Sequence, residues 1–333
     1  MRLENSMPDS VGVVGAGVSG LSCGVLFAER GYRTRILAEE IGPRLTSAAA
    51  GAIWFPYDAE PVDAVIAWSL ETFAVLQGLS RTPETGVSMI DLRHFARAGE
   101  IEIPPWAISL GAQPLAPASI PHCFTSGFAL EVPLTDTTIY LDYLAARFRR
   151  AGGEIHSGVR FDHLEEVSDE YSIVINCTGV GARTLLPDPA VEPHRGQVVL
   201  VAKNPPMQAI VCDDPPLMYV IPRAGDCVFG GTNELSSDRE PDPATTAAIV
   251  AECSRVLEIE PPTVLGVRVG LRPFRRAGVC LRADRLRDGR RVIHNYGHGG
   301  SGFTLSWGCA EAVFDVAKAG EASASLELGC GVW

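Results

Sequence analysis

Three features of the sequence predict an α/β fold built from two domains interleaved along the chain. Residues 11–14 (VGVV), 15–29 and 33–38 (RTRILA) read as strand, helix and strand, a βαβ unit that opens the chain. A second strand-to-helix unit, 292–295 followed by 304–319, closes it. Between them the pattern is rich in strands: QVVLVA, LMYVIPR and DCVFGGT within 197–232, and a polar–apolar alternation over 263–271. A chain of 333 residues suits two domains at ~150 residues each.

Each element has a local reason. In the first helix Leu21, Val25 and Ala28 share a face, and Gly31 follows as a stop. Residues 43–57 (PRLTSAAAGAIWFPY) are rich in small side chains, which let a backbone approach a ligand closely. Residues 62–78 predict a helix with Val65, Trp68, Phe73 and Leu76 as its apolar set. The proline-rich stretch 80–135 predicts short strands and loops. Residues 138–151 form an amphipathic helix stopped by Gly152 and Gly153. A buried strand at 172–176 runs into Cys177, Thr178 and Gly179, and 242–257 is a further helix. No internal repeat or linker stands out.

Composition narrows the function. Hydrophobic residues are 46% and charged residues 20%, ordinary globular usage. A formal charge of −12 argues against nucleic acid, whose phosphates need a basic face. None of the nine cysteines forms a CxxC pair and their number is odd, which fits a reducing cytoplasm better than a disulfide framework. No run reaches the ~20 apolar residues of a membrane span, and the N-terminal apolar stretch lacks a signal-peptide layout. Gly331, Val332 and Trp333 are not a peroxisomal tail.

Three constellations carry chemistry. Gly15-Ala16-Gly17-Val18-Ser19-Gly20 fits GxGxxG and stands between a strand and a helix inside the βαβ unit, as in a Rossmann-like dinucleotide-binding domain. Its glycines suit a tight turn, an approach to pyrophosphate and close helix–strand packing, with the positive helix end aimed at the phosphates. Glu39, at the end of the second strand, stands where an acid holds an adenosine ribose. The loop 294–304 (HNYGHGGSGFT) places four glycines just before a helix, a second anion or ring-edge site. Its His294 and His298 have no carboxylate or cysteine pair nearby in sequence, so no metal is expected. Arg272, at the end of an apolar strand and before Pro273, is either paired internally or aimed at a ligand carboxylate.

These motifs together resemble the D-amino-acid oxidase family of FAD enzymes. VVGAGVSGLS at the N-terminus, AAGAIWFPY at 49–57, MYVIPR at 218–223, GLRPFR at 270–275 and HNYGHGGSGFTLSWGCA at 294–310 occur in the family's order. The resemblance implies non-covalent FAD cradled by Gly15, Ala16, Gly17, Val18 and Ser19, with Glu39 on the ribose. Thr46, Ser47, Gly51, Ala52, Ile53 and Trp54 would run along the phosphates and flavin, and Gly299, Gly300, Gly302, Phe303 and Thr304 would close over the ring's edge. Arg272 would grip a substrate carboxylate with the Tyr219 hydroxyl, and Gly300 and Ser301 count with the catalytic positions. An FAD-binding domain of 1–60, 136–195 and 280–333 would interleave with a mixed, largely antiparallel substrate domain of 61–135 and 196–279.

The implied reaction is oxidative deamination of a D-amino acid by hydride transfer to FAD. Molecular oxygen is the acceptor, and the products are a 2-oxo acid, ammonia and hydrogen peroxide. The implied enzyme is cytoplasmic and free of membrane, and the resemblance is compatible with a homodimer. A glycine- or sarcosine-type amine oxidase, a dehydrogenase with another acceptor and a flavin-binding sensor remain as alternatives. Three positions depart from the animal members: Pro215 and Ser301 where those carry tyrosines, and Phe55 where they carry a polar residue.

Overall fold

The structure, a computed structural model, describes residues 10–57, 59–203 and 208–327; Cys330 and the C-terminal tripeptide lie outside the described residues. Two sheets organise the chain. The first has six strands in the order Cys280–Arg285, Arg291–Tyr296, Ile173–Asn176, Ser10–Val14, Arg33–Ala38 and Glu154–Ser157. All neighbours are parallel except the antiparallel edge pair Cys280–Arg285 and Arg291–Tyr296. Alternation along the central strands divides their side chains between two cores. Val11, Val13, Ile36, Ile175 and Ile293 pack with the helices Val18–Glu29, Thr137–Arg150 and Gly302–Glu327. Val14, Leu37, Val174 and Val292 pack with Leu164, Tyr171 and Leu185. Strands covered on both faces explain why these runs are apolar throughout.

The second sheet has nine strands. Eight run in the order Glu234–Leu235, Val191–Val201, Cys227–Gly230, Met218–Pro222, Ala209–Cys212, Val87–Ala96, Ser126–Thr135 and Gln113–Pro114, and Val264–Arg275 also pairs with Val191–Val201. Pairing is antiparallel except between Val87–Ala96 and Ala209–Cys212. The helix Pro243–Leu257 packs Ile249, Val250, Cys253 and Val256 against Val199, Val220 and Phe229. The helix Val62–Leu79 is long and apolar enough to cross a membrane, at mean hydropathy 1.3. It packs against the helix Gly302–Glu327 and the strand Val87–Ala96.

The structure departs from the sequence reading at a few places. The first helix begins at Val18, with Gly15 to Gly17 forming the turn before it. The strands Ala209–Cys212 and Cys280–Arg285 were not expected; the first has only four residues, and the second is a polar edge strand with exposed Arg282 and Asp284. The strand expected to end at Leu271 continues to Arg275, through Pro273, which faces Pro193 across the ladder, where neither strand offers an N–H.

One buried ion pair ties the second sheet to the helix Thr137–Arg150. The Arg223 guanidinium, with its side chain 1% exposed, makes two bonds to Asp226, at 2.7 and 2.6 Å, and lies 3.6 Å from Asp136. Removing one partner leaves a buried charge short of compensation. Asp226→Ala should therefore cost about 3 kcal/mol, seen as a lower midpoint in thermal or urea unfolding followed by circular dichroism. A midpoint equal to the native one would contradict this account of Arg223.

Candidate active site

A cleft of about 610 Å³ lies between the two sheets and is lined by residues of both. On the first sheet's side the lining comes from Gly15 to Ser19, Thr46 to Ile53 apart from Ala48, Cys177 to Gly181, and the 298–304 loop apart from Ser301. From the second sheet come Gly196, Tyr219, Ile221 and Arg272.

The three motif glycines have different duties. Gly15 has φ of +110°, and a Cβ there would stand 2.5 Å from the Cys177 carbonyl oxygen. A Cβ on Gly20 would stand 2.0 Å from the Gly15 carbonyl oxygen. Both are required by the packing of the chain on itself. A Cβ on Gly17 would meet only the Ser47 hydroxyl, at 3.1 Å, so the absence of a side chain there keeps cleft space open. Gly17 caps the first helix without a side-chain bond, and the Val18 N–H donates to Ser47 Oγ at 3.0 Å. A second helix, Gly302–Glu327, also begins on the cleft, and a Cβ on Gly302 would have only Val18 Cγ1 near it, at 3.8 Å. Two helix N-termini, whose first-turn amides have no intrahelical acceptor, thus face one space. Glu39 lines the same cleft, exposed, with Arg160 at 3.3 Å. This donor set and the vacant space over Gly17 fit a dinucleotide's pyrophosphate and ribose.

The segment after Thr46 is pinned between the sheets. The Thr46 hydroxyl donates to the Leu271 carbonyl at 3.2 Å and accepts from the Leu271 N–H at 3.3 Å. Ile53 bridges to Leu134. Side chains then alternate: Ile53, Phe55 and Tyr57 line the cleft, whereas Trp54 turns into the core. The Trp54 indole donates to the Ser69 carbonyl at 2.9 Å and packs edge-on to Phe73 and Trp106, so its ring does not reach the cleft as expected. Ser301 does not reach it either. It is 1% exposed, and its hydroxyl donates to the Tyr57 carbonyl and accepts from the Tyr57 N–H. Thr304 holds Phe55 in the same two-way manner, at 3.0 and 3.1 Å. Ser301 is thus a clamp on the Tyr57 segment, and Gly300 lies against the Tyr57 ring.

Arg272 and Tyr219 converge on the other wall. The Arg272 guanidinium lies against Gly196, where a Cβ would stand 2.5 Å from Nη1, and that nitrogen donates to the Thr232 carbonyl at 2.7 Å. No carboxylate among the described residues comes within ion-pair distance of it, whereas Arg223 is consumed by Asp226 and Asp136. The Tyr219 ring fills the space left by Gly230 and Gly231, and burial pushes its phenol above the usual range while Arg272 opposes the shift. Sequence reasoning missed Tyr57 and Asn233. Asn233 Nδ2 lies 3.4 Å from the Tyr57 hydroxyl and its Oδ1 3.5 Å from Arg272, and only folding brings these residues together.

Behind the loop, His298 shares a 2.9 Å contact with Asn295 Oδ1, and His294 Nδ1 lies 3.3 Å from Asn176 Nδ2. Burial lowers both imidazoles to about 4, with Arg282 adding to the effect at His294. Cys177, also on the cleft, has its thiol raised well above the usual value by its hydrogen bond with Cys23 and by burial, so it is a poor nucleophile.

The FAD dependent oxidoreductase (DAO) family profile matches residues 10–316. The chain belongs to this family. It is 42% identical over 318 residues to the D-amino-acid oxidase of Rubrobacter xylanophilus, covering 92% of this chain and 95% of that one. The D-amino-acid oxidase of Streptomyces coelicolor is 40% identical over 317 residues, covering 93% and 97%. The human D-aspartate oxidase is 32% identical over 320 residues, covering 90% and 92%. Among solved structures, the glycine oxidase of Geobacillus kaustophilus superposes with a TM-score of 0.78 at 17% identity, covering 93% of this chain and 95% of that one, a likeness of fold. As a DAO-family member this protein uses FAD, and the glycine-lined cleft between two helix ends is the place whose chemistry fits it.

Three outcomes follow from this site. Gly17→Val fills the open space at the phosphates and should yield folded protein with little flavin, read as the flavin-to-protein absorbance ratio. Acid precipitation of the native protein should release the yellow colour to the supernatant, because the one cysteine among the described lining residues is a neutral thiol. The third outcome concerns pH. The folded state holds His294 and His298 neutral down to about 4, while in the unfolded chain they protonate near 6.5. Their contribution to stability is full above about 6.5 and is lost as pH falls toward about 4. His294→Gln should flatten the fall in thermal midpoint across that window; an unchanged slope would contradict the assignment.

Proposed function

We propose that this protein oxidises D-amino acids to 2-oxo acids, consuming oxygen and water and releasing ammonia and hydrogen peroxide. The observation that carries the reading is the Arg272 guanidinium, held over Gly196 beside the Tyr219 hydroxyl and facing the cleft without a described carboxylate partner. The names of the relatives, D-amino-acid oxidases at 40–42% identity over most of the chain, support it.

The protein's part is orientation. A substrate carboxylate can bond to the guanidinium nitrogens not used by Thr232 and to the Tyr219 hydroxyl. Fixing that end against a rigid strand leaves Cα to be presented in one handedness, so the choice of enantiomer is geometric. Bound FAD supplies the two-electron acceptor that oxygen renews. Phe55, Ile221 and the half-buried Tyr219 ring make an apolar wall that excludes water and strengthens the charge contact at Arg272. No protein base is needed at carbon if the amino group arrives neutral. In this reading 1–60, 136–195 and 280–333 hold FAD while 61–135 and 196–279 hold substrate. The six-stranded sheet lies in the first set, and apart from the start of Val191–Val201 the nine-stranded sheet lies in the second. The eight described cysteines are unpaired, which suits the cytoplasmic setting of the reading. The reading also takes the enzyme as membrane-free and leaves room for a homodimer.

Arg272→Ala removes charge and planar fork together. Charged hydrogen bonds contribute ~1.5–3 kcal/mol each, so kcat/KM for D-amino acids should fall at least ~100-fold with flavin content unchanged. Arg272→Lys should restore only part of the loss. Near-native kcat/KM in the flavin-loaded alanine variant would place the carboxylate anchor elsewhere.

A further inference from the structure

The substrate wall carries a negative charge that carboxylate binding does not use. Asp213 follows the strand Ala209–Cys212 and lines the cleft together with Val211, Leu217, Tyr219 and Phe55. Its one ion-pair neighbour among the described residues is His94, whose Nε2 lies 3.3 Å from Oδ2. The Nε2 edge of the ring faces Asp213, and its buried Nδ1 has no hydrogen-bond acceptor among the described residues. Arginines that could neutralise Asp213 are engaged elsewhere: Arg97 bonds Asp214, Pro216 and Glu252, and Arg223 pairs with Asp226 and Asp136.

Register places Asp213 opposite the anchor. Val198, Gly230, Tyr219 and Val211 form one cross-strand row. Gly196, under the Arg272 guanidinium, and Asp213 both lie two residues from that row. The alternating strand directions put both displacements at the same end of the sheet. They are three strand spacings apart, about 14 Å at the backbone. The carboxylate–guanidinium contact and the Asp213 side chain take up part of that span. What remains is the reach of a long, extended side chain, and the same cleft is lined by the apolar groups of Val211, Leu217 and Phe55.

Resting on the amino-acid oxidase reading, we infer that the cleft selects D-amino acids with a long cationic side chain, such as D-arginine and D-lysine, with Asp213 receiving the charged head and His94 positioning Asp213. Arg272 takes the carboxylate, the apolar residues take the methylene stem, and the Asp213 carboxylate takes the guanidinium or ammonium.

The test compares substrates of equal length in the FAD-loaded native enzyme: D-arginine against D-citrulline, and D-lysine against D-2-aminoheptanoate, whose terminal methyl stands where the ammonium would be. The expected kcat/KM ratio is at least about 10 in favour of the cation in each pair, the scale of one charged hydrogen bond. In Asp213→Asn, which keeps the shape and drops the charge, both ratios should collapse to within about threefold of one. Native ratios near one, or ratios kept by Asp213→Asn, would overturn the inference while leaving the oxidase reading intact, since the neutral D-amino acids would still be oxidised. Failure of all four substrates would overturn both.

Discussion

The guanidinium of Arg272 lies on the backbone of Gly196 and donates to the Thr232 carbonyl, in a cleft where no described carboxylate neutralises it. Much of the substrate wall follows from this. A large planar cation can lie flat on a strand only where the neighbouring residue has no side chain, so Gly196 is required. The Tyr219 ring needs the same concession from Gly230 and Gly231. The long ladder between Val264–Arg275 and Val191–Val201 then holds the cation at a fixed height over the cleft. By contrast Arg223, the last residue of the run 218–223 that carries Tyr219, is paired on two sides and cannot serve a ligand.

The two walls of the cleft are joined by short polar clamps. Thr46 exchanges hydrogen bonds with Leu271, Thr304 with Phe55, and Ser301 with Tyr57. Each links the glycine-rich cofactor side to residues that face the other wall. These hydroxyl bonds add direction to a hydrophobic core that residues of both sheets share, from Val13 and Ile36 to Leu92 and Val132. This is how a small-residue segment such as 46–53 can be both open to a ligand and fixed in place.

Much of this was legible in the sequence because the strongest signals are local. The opening βαβ unit shows as buried apolar strands around GxGxxG, and the helices 137–150 and 243–257 show as amphipathic periods with clear ends. The strand Cys280–Arg285 was not legible, because a polar edge strand lacks the alternation that marks a half-buried one. The family resemblance puts Trp54 along the flavin with its neighbours, but the extended segment gives alternate residues to opposite sides, and the Trp54 ring is on the core side. Ser301 shows the same limit: its loop points at the ligand, its hydroxyl at Tyr57. Asn233 and Asp213 stand outside every motif, and Tyr57 only closes the run 49–57; their meeting at one cleft is a property of the fold. The distances around the three motif glycines match the tight turn, the open approach and the close packing that the motif itself predicts.

The central claim is that a rigidly held cation fixes one end of an amino acid and so decides which enantiomer reacts. The most direct measurement is the rate of oxygen consumption by the FAD-loaded protein with the two enantiomers of a single amino acid at equal concentration. The account predicts rapid consumption with the D form and none above background with the L form. Equal rates with both, or preference for the L form, would contradict it.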